Sequence, residues 1–269
     1  MKKVIFVFLI VLTFCLVLTS AMAEETVLAD NDKVYVKIKK LEASGDSLEM
    51  KVYLENKSNV TAMFSIDNMT VNGYLVDPFW AEEVAPGKKS NDTITVRRLS
   101  ENGVTGDVSI IEFDLRAYDN NDWSAPDLYK DRISLYPLGE DKVSIVERKG
   151  EPRDLVVVNN DKLTIIVVGF YEDSIWGFTA KLYIVNKTDK TVMFSVDDGS
   201  VNGFMMNPFW AKELPPNARC YSDMHWSSSD FEENDITKVE EIELTFRVYD
   251  NNDWSAPDLF KETKTIKPW

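Results

Sequence analysis

Histidine and cysteine are nearly missing from this chain: 269 residues carry one His and two Cys. One of those cysteines, Cys15, lies in the leading apolar run, which leaves Cys220 without an internal partner. A disulfide framework, a His/Cys zinc cluster and a Cys–His dyad using both Cys copies are excluded. Positive charge is also short, with 30 Lys and Arg against 45 Asp and Glu and a net charge of −15. Such a chain has no sequence-independent attraction to nucleic acid or anionic lipid. No second long apolar run follows the first, and no helix-period stretch exceeds a turn near Ser229 to Glu232. Hydrophobic residues at 44% with 28% charged exclude wholesale disorder.

What is present begins with an export signal over residues 1–23. Lys2 and Lys3 form its positive start, Val4 to Leu18 is almost purely apolar, and Ala21-Met22-Ala23 offers a cleavage site. Lipid attachment at Leu12-Thr13-Phe14-Cys15 fits less well, because bulky Phe14 precedes the Cys and the apolar run continues past it. Residues 4–23 also reach the roughly 20 needed to span a bilayer, so a membrane role arises only if the segment stays uncleaved. Cleavage leaves 246 residues (269 − 23), and the loss of two lysines takes the charge from −15 to −17. The expected location is secreted or on the extracellular surface. No tail for wall or lipid anchoring is expected at the C-terminus, where the sequence ends on Pro268-Trp269.

Self-comparison reveals a tandem duplication. Lys51 to Ala81 aligns with Lys181 to Ala211 without a gap, at 16 identities in 31 positions. YDNNDWSAPDL occurs unchanged at 118–128 and 249–259. The expected organisation is repeat 1 over 26–137, a charged linker with Gly150 and Pro152 over 138–154, and repeat 2 over 155–268. Each repeat reads as β: Leu48, Met50, Val52 and Leu54 alternate with polar residues, as do Ile111, Phe113, Leu115 and Ala117. Phe178, Ala180, Leu182 and Ile184 are expected inward in repeat 2, as are Ile242, Leu244, Phe246 and Val248. Seven or so strands in about 110 residues favour two tandem immunoglobulin-like antiparallel β-sandwiches, with a small barrel as the other solution.

The motifs N-K-[ST]-x-x-T-x-M-F-S-[IV]-D, V-N-G-[YF], [DN]-P-F-W-A and R-x-Y-D-x-x-D-W resemble tandem repeats in exported proteins of Gram-positive anaerobes. Those domains are similar to the Ig-like sandwiches of bacterial lipoproteins and of secreted mycobacterial antigens. The resemblance covers nearly the whole chain after the signal. It implies the sandwich fold and an extracellular location, and it brings no activity and no catalytic residues.

The duplication acts as a control on reactive residues. His225 aligns with Thr95 and Cys220 with Ser90, so neither anchors chemistry shared by both repeats. His225 is expected to point outward. A carboxylate pair for glycoside hydrolysis competes with acids on solvated strand faces, and the latter is the commoner situation. No enzyme is expected. Closely spaced oxygen donors could hold calcium at Asp119, Asn121, Asp122 and Asp127, and again at Asp250, Asn252, Asp253 and Asp258. The competing reading is an Asx-rich turn bonding its own backbone. Trp80, Trp123, Trp210 and Trp254 are candidate ligand-binding rings, against the alternative that Pro-Phe-Trp plugs the sandwich end. Strand parity places the loops 56–59, 77–88 and 119–127 at one pole, which predicts that Trp80 lies near Trp123 and Trp210 near Trp254. Asn56, Asn59, Asn68, Asn91 and Asn186 sit in N-x-S/T sequons, read here as ordinary polar positions. The function expected is a non-catalytic interaction module for an extracellular protein or glycan, or else a calcium-dependent carbohydrate-binding protein.

Overall fold

Alternating apolar residues become strands almost everywhere they occur. The computed structural model of the protein describes residues 25–268 except Ser174, so the expected export signal lies outside the described residues. The first nine strands are β1 (Thr26–Asp30), β2 (Val34–Ser44), β3 (Ser47–Asn56), β4 (Ala62–Val71), β5 (Tyr74–Leu75), β6 (Ala81–Val84), β7 (Lys89–Arg97), β8 (Ile111–Asp119) and β9 (Tyr129–Leu135). The next nine are β10 (Leu155–Asn159), β11 (Leu163–Asp173), β12 (Gly177–Asn186), β13 (Val192–Val201), β14 (Phe204–Met205), β15 (Ala211–Leu214), β16 (Arg219–His225), β17 (Ile242–Asp250) and β18 (Phe260–Ile266). A single α-helix among the described residues, α1 (Ser228–Glu233), follows β16 where the sequence suggested a turn.

The pairing order recurs. In the first half, β1-β2-β3-β7 forms one sheet, and β5 and β6 flank β4, followed by β8 and β9, in another. In the second half, β10-β11-β12-β16 takes the place of the first sheet, and β14 and β15 flank β13, then β17 and β18. Residues matched by sequence take matching rungs: Ala62 faces Asp119 as Val192 faces Asp250. The architecture is all-β and sandwich-like. Leu48, Met50, Val52 and Leu54 point inward as the alternation requires, together with Phe64 and Phe113. Phe194, Trp226 and Phe246 fill the second core, and burying such a side chain contributes about 1.5–3 kcal/mol.

The turn after β4 is Asn72-Gly73, both at positive φ (48° and 76°). Asp67-Asn68 forms an irregularity within β4, with Asn68 at φ 51°. Asn tolerates this left-handed backbone and Gly adopts it freely.

The two faces of β12 depart from simple alternation. Phe178 packs on the core through Trp226 as expected but stays half-buried, stacking on Phe170. The opposite face of β12 is not uniformly solvated: Tyr183 is 5% exposed, because the first half packs against it. Arg219 N–H donates to Gly73 O at 2.9 Å, joining β16 to β5 in parallel and merging two sheets into one of nine strands. Tyr74, 4% exposed, enters this contact with Arg219 above its ring and its hydroxyl donating to Val146 O. Burial, then the neighbouring Tyr183, pushes the Tyr74 hydroxyl well above its ordinary range. The segment expected as a linker is strapped down: Ser144 N–H donates to Ser109 Oγ, and Arg148 forms a bidentate pair with Asp154 at 2.6 Å.

Candidate functional site

The Asp/Asn loops join β8 to β9 and β17 to β18, and both are built the same way. Asp119 Oδ1 accepts from Asn121 N–H at 2.9 Å, and Asp122 Oδ1 accepts from the Ser124 N–H and hydroxyl. Asp250 does the same with Asn252 N–H, and Asp253 with Ser255. The Ser124 and Ser255 hydroxyls, then their backbone N–H groups, hold Asp122 and Asp253 below the usual carboxylate range. Asp250 is held low by Lys190, 2.7 Å away. Asp127 and Asp258 turn away to pair with Arg116 and Arg247, at 2.8 Å and 3.0 Å.

These bonds follow the capped-turn alternative: each carboxylate is directed at its own turn or at a cationic side chain, Lys190 for Asp250 and an arginine for Asp127 and Asp258. Among the described residues no group of three or more His, Cys, Asp or Glu is placed to hold a metal ion. The melting temperature is therefore expected to be the same in calcium and in chelator. A calcium-dependent rise of several degrees would restore the cation reading, since a ligand that binds the folded state alone must stabilise it.

Each hairpin carries a stack that the sequence motif encodes but spacing did not reveal. The Asp127 carboxylate fixes Arg116, whose guanidinium lies 4.4 Å from the Tyr118 ring centre, and Tyr118 meets Trp123 at 5.3 Å. In the second half Asp258, Arg247, Tyr249 and Trp254 repeat the order, at 4.5 Å and 5.9 Å. Trp254 Nε1 also donates to Asn251 O at 3.1 Å. Despite this support Trp123 and Trp254 stay 69% and 78% exposed. They are flat apolar rings on stiff loops, in matching places.

Trp80 and Trp210 do not join them. Trp80 precedes β6, whose Ala81 pairs with Ser65, whereas Trp123 lies beyond Asp119, which pairs with Ala62. Three rungs along β4 amount to about 10 Å. Parity placed the loop correctly only at its 85–88 turn, because residues 81–84 run back down the sheet as a strand. Trp80 instead bridges the two sheets, donating from Nε1 to Asp92 at 2.7 Å, and Trp210 donates to Ser222 Oγ at 2.9 Å. Both are partly buried against their cores, so neither plugs an end nor forms an open platform. The exposed neighbour is Phe79, at 97%, and in the second half Phe209, at 70%.

His225 faces away from the core between buried Met224 and Trp226, as expected, but it is half-buried there. Its Nδ1 lies 2.9 Å from the Thr179 hydroxyl and its ring tilts on Trp176 at 5.8 Å. The cause is Trp176, which precedes β12 and covers the ring. Thr179 is fully buried and Oγ1 also reaches Gly177 O, so it is a packed hydroxyl. Replacing His225 with Ala should cost about 1 kcal/mol, measured by urea denaturation, where an exposed ring would cost under about 0.5. Cys220 is buried and its thiol is pushed up to about 12, far from a reactive thiolate.

A cleft of about 560 Å³ opens between the halves, lined by Asp67, Asp77, Asp114, Arg116, Lys130 and, from β15, Lys212. Asp67 and Asp114 are cross-strand partners. Burial, then the charge of Asp114, raises Asp67 above the usual carboxylate range. Asp114 itself is bound by Arg132 and Asn68. Sequence could not show this cleft, because its walls come from both halves.

No protein-family model matches the chain. No curated protein matches it either. Among solved structures, similarity is found to the YadV chaperone, at 15% identity over 81% of this chain and 92% of that one, with a TM-score of 0.26. Red sea bream transglutaminase aligns at 10% identity over 85% of this chain and 31% of that one, with a TM-score of 0.22.

Proposed function

We propose that this chain is a secreted or cell-surface, non-catalytic interaction module, built of two tandem immunoglobulin-like sandwiches that follow a cleaved export signal. Membership in the repeat family of exported proteins from Gram-positive anaerobes belongs to the same reading and rests on the motifs quoted above. The observation that carries it is the pair of exposed indoles, Trp123 and Trp254, on matching hairpins. An indole held by Tyr, Arg and capped Asx turns loses little entropy on binding. Exposed aromatic rings of this kind are anchors for a protein hot spot or for the apolar face of a sugar. The partner is an extracellular protein or a glycan, with the acidic residues around the rings setting its charge preference. Screening the chain from Glu24 onward on a glycan array and against extracellular proteins should yield ligands. Their binding should drop at least tenfold in the Trp123→Ala/Trp254→Ala variant, with melting unchanged. Undiminished binding by that variant would overturn the reading.

A further inference from the structure

We propose that copies of this chain associate head to tail, the β14 turn of one copy docking on the open edge of β7 in the next. The contact has a template inside the chain. There the Asn72-Gly73 turn and β5 sit against the edge of β16, with Gly73 O accepting from Arg219 N–H and Tyr74 buried.

Both halves of that contact recur elsewhere. The donor recurs as Asn202-Gly203, at φ 50° and 84° against 48° and 76° for Asn72-Gly73. Each Asn clasps the strand behind it in the same way. Asn202 Oδ1 accepts from the Glu240 and Glu241 N–H groups and Nδ2 donates to Lys238 O, as Asn72 does with Ser109, Ile110 and Asp107. Phe204 then stands where Tyr74 stands. Tyr74 is 4% exposed, whereas Phe204 is 47% and the adjacent Met205 72% exposed. The acceptor recurs as β7. Lys89 pairs with Glu55 as Arg219 pairs with Val185, and β7 ends its sheet among the described residues. Tyr53 matches Tyr183 on the neighbouring strand, and Lys89 puts a cation where Arg219 meets the Tyr74 ring.

An uncovered sheet edge is a template for a further strand, and an exposed apolar pair on a rigid turn is a matching occupant. The two surfaces are unlike and each copy carries one of each, so the contact is heterologous and can add copies beyond a dimer, into a ring or an open chain according to its rotation. Asn91 stands in the place of Tyr221, so the acceptor is more polar than its template, while Lys51 keeps the cation of Lys181. Lysines at the edge and Glu240 and Glu241 at the turn make the association sensitive to salt.

Sedimentation velocity of the chain from Glu24 onward tests this. The weight-average mass should rise with concentration past that of a dimer, and fall back in molar salt. Met205→Glu, with Phe204→Ser as a second donor variant, should sediment as a monomer, and so should Lys51→Glu/Lys89→Glu. An equimolar mixture of donor and acceptor variants should form a dimer and stop there, since each retains the surface the other lacks. A parent chain that stays monomeric throughout, an acceptor variant that still self-associates, or a mixture that stays monomeric would each overturn the proposal.

Discussion

Replacing Asn186 with Ala is expected to cost about 3–4 kcal/mol, the sum of two buried carbonyls and a loop left without their partner. Asn186 is fully buried at the end of β12, and Nδ2 donates to Lys190 O, Leu214 O and Pro215 O. Its Oδ1 accepts from the Thr188 N–H and hydroxyl. One amide therefore ties the Lys187–Lys190 loop to the far end of β15. Alanine removes the donor from the buried Leu214 and Pro215 carbonyls, which is costlier than losing an exposed bond. Asn56 makes the equivalent set with Val60 O, Val84 O and Ser58, so Asn56→Ala should cost nearly as much. Chemical denaturation measures both. A loss under about 1 kcal/mol would mean the amides are replaceable by water.

The second large effect concerns the joint between the halves. Gly103 has φ +96°, a conformation that L side chains rarely adopt, and a Cβ there would stand 2.5 Å from Tyr74 Cε1 and 3.0 Å from Tyr221 Cε2. Tyr74 is buried and cannot swing clear without breaking its place beneath Arg219. Gly103→Val should thus cost about 3 kcal/mol or more, from backbone strain and overpacking together. The damage should fall on the joint. Hydrogen exchange should quicken around Tyr74, Tyr183 and Tyr221 while Phe64 and Phe194 keep their protection. Uniform exchange, with no local loss of protection, would mean the halves do not depend on this contact.

These two residues show where sequence was legible and where it was not. Period-2 alternation identified the inward faces of β3, β8 and β17, because one buried sheet face imposes that period locally. It could not identify Tyr183 as buried, since the alternation only separates two faces and the second half's outer face is covered by residues a hundred positions away. The recurrence of N-K-[ST] marked Asn56 and Asn186 as worth notice. Their role depended on carbonyls 28 residues along the chain, which no local pattern carries. At the candidate site, the loops and their rings were legible as a repeated word. Which tryptophans would be presented was not, because the stretch after Pro78 folds as a broken strand beside β4 and draws Trp80 towards Asp92. The choice between cation cage and capped turn lay in carboxylate directions, which depend on Ser124, Ser255, Arg116 and Arg247.

Under the proposed function, Trp123 and Trp254 are two equivalent binding sites on one chain. Calorimetric titration with a ligand recovered from the glycan or protein screen tests it most directly, because stoichiometry counts sites independently of affinity. The parent should bind two ligands per chain, Trp123→Ala one, Trp254→Ala one, and the double variant none. One ligand per chain in the parent, or two in the double variant, would contradict the account.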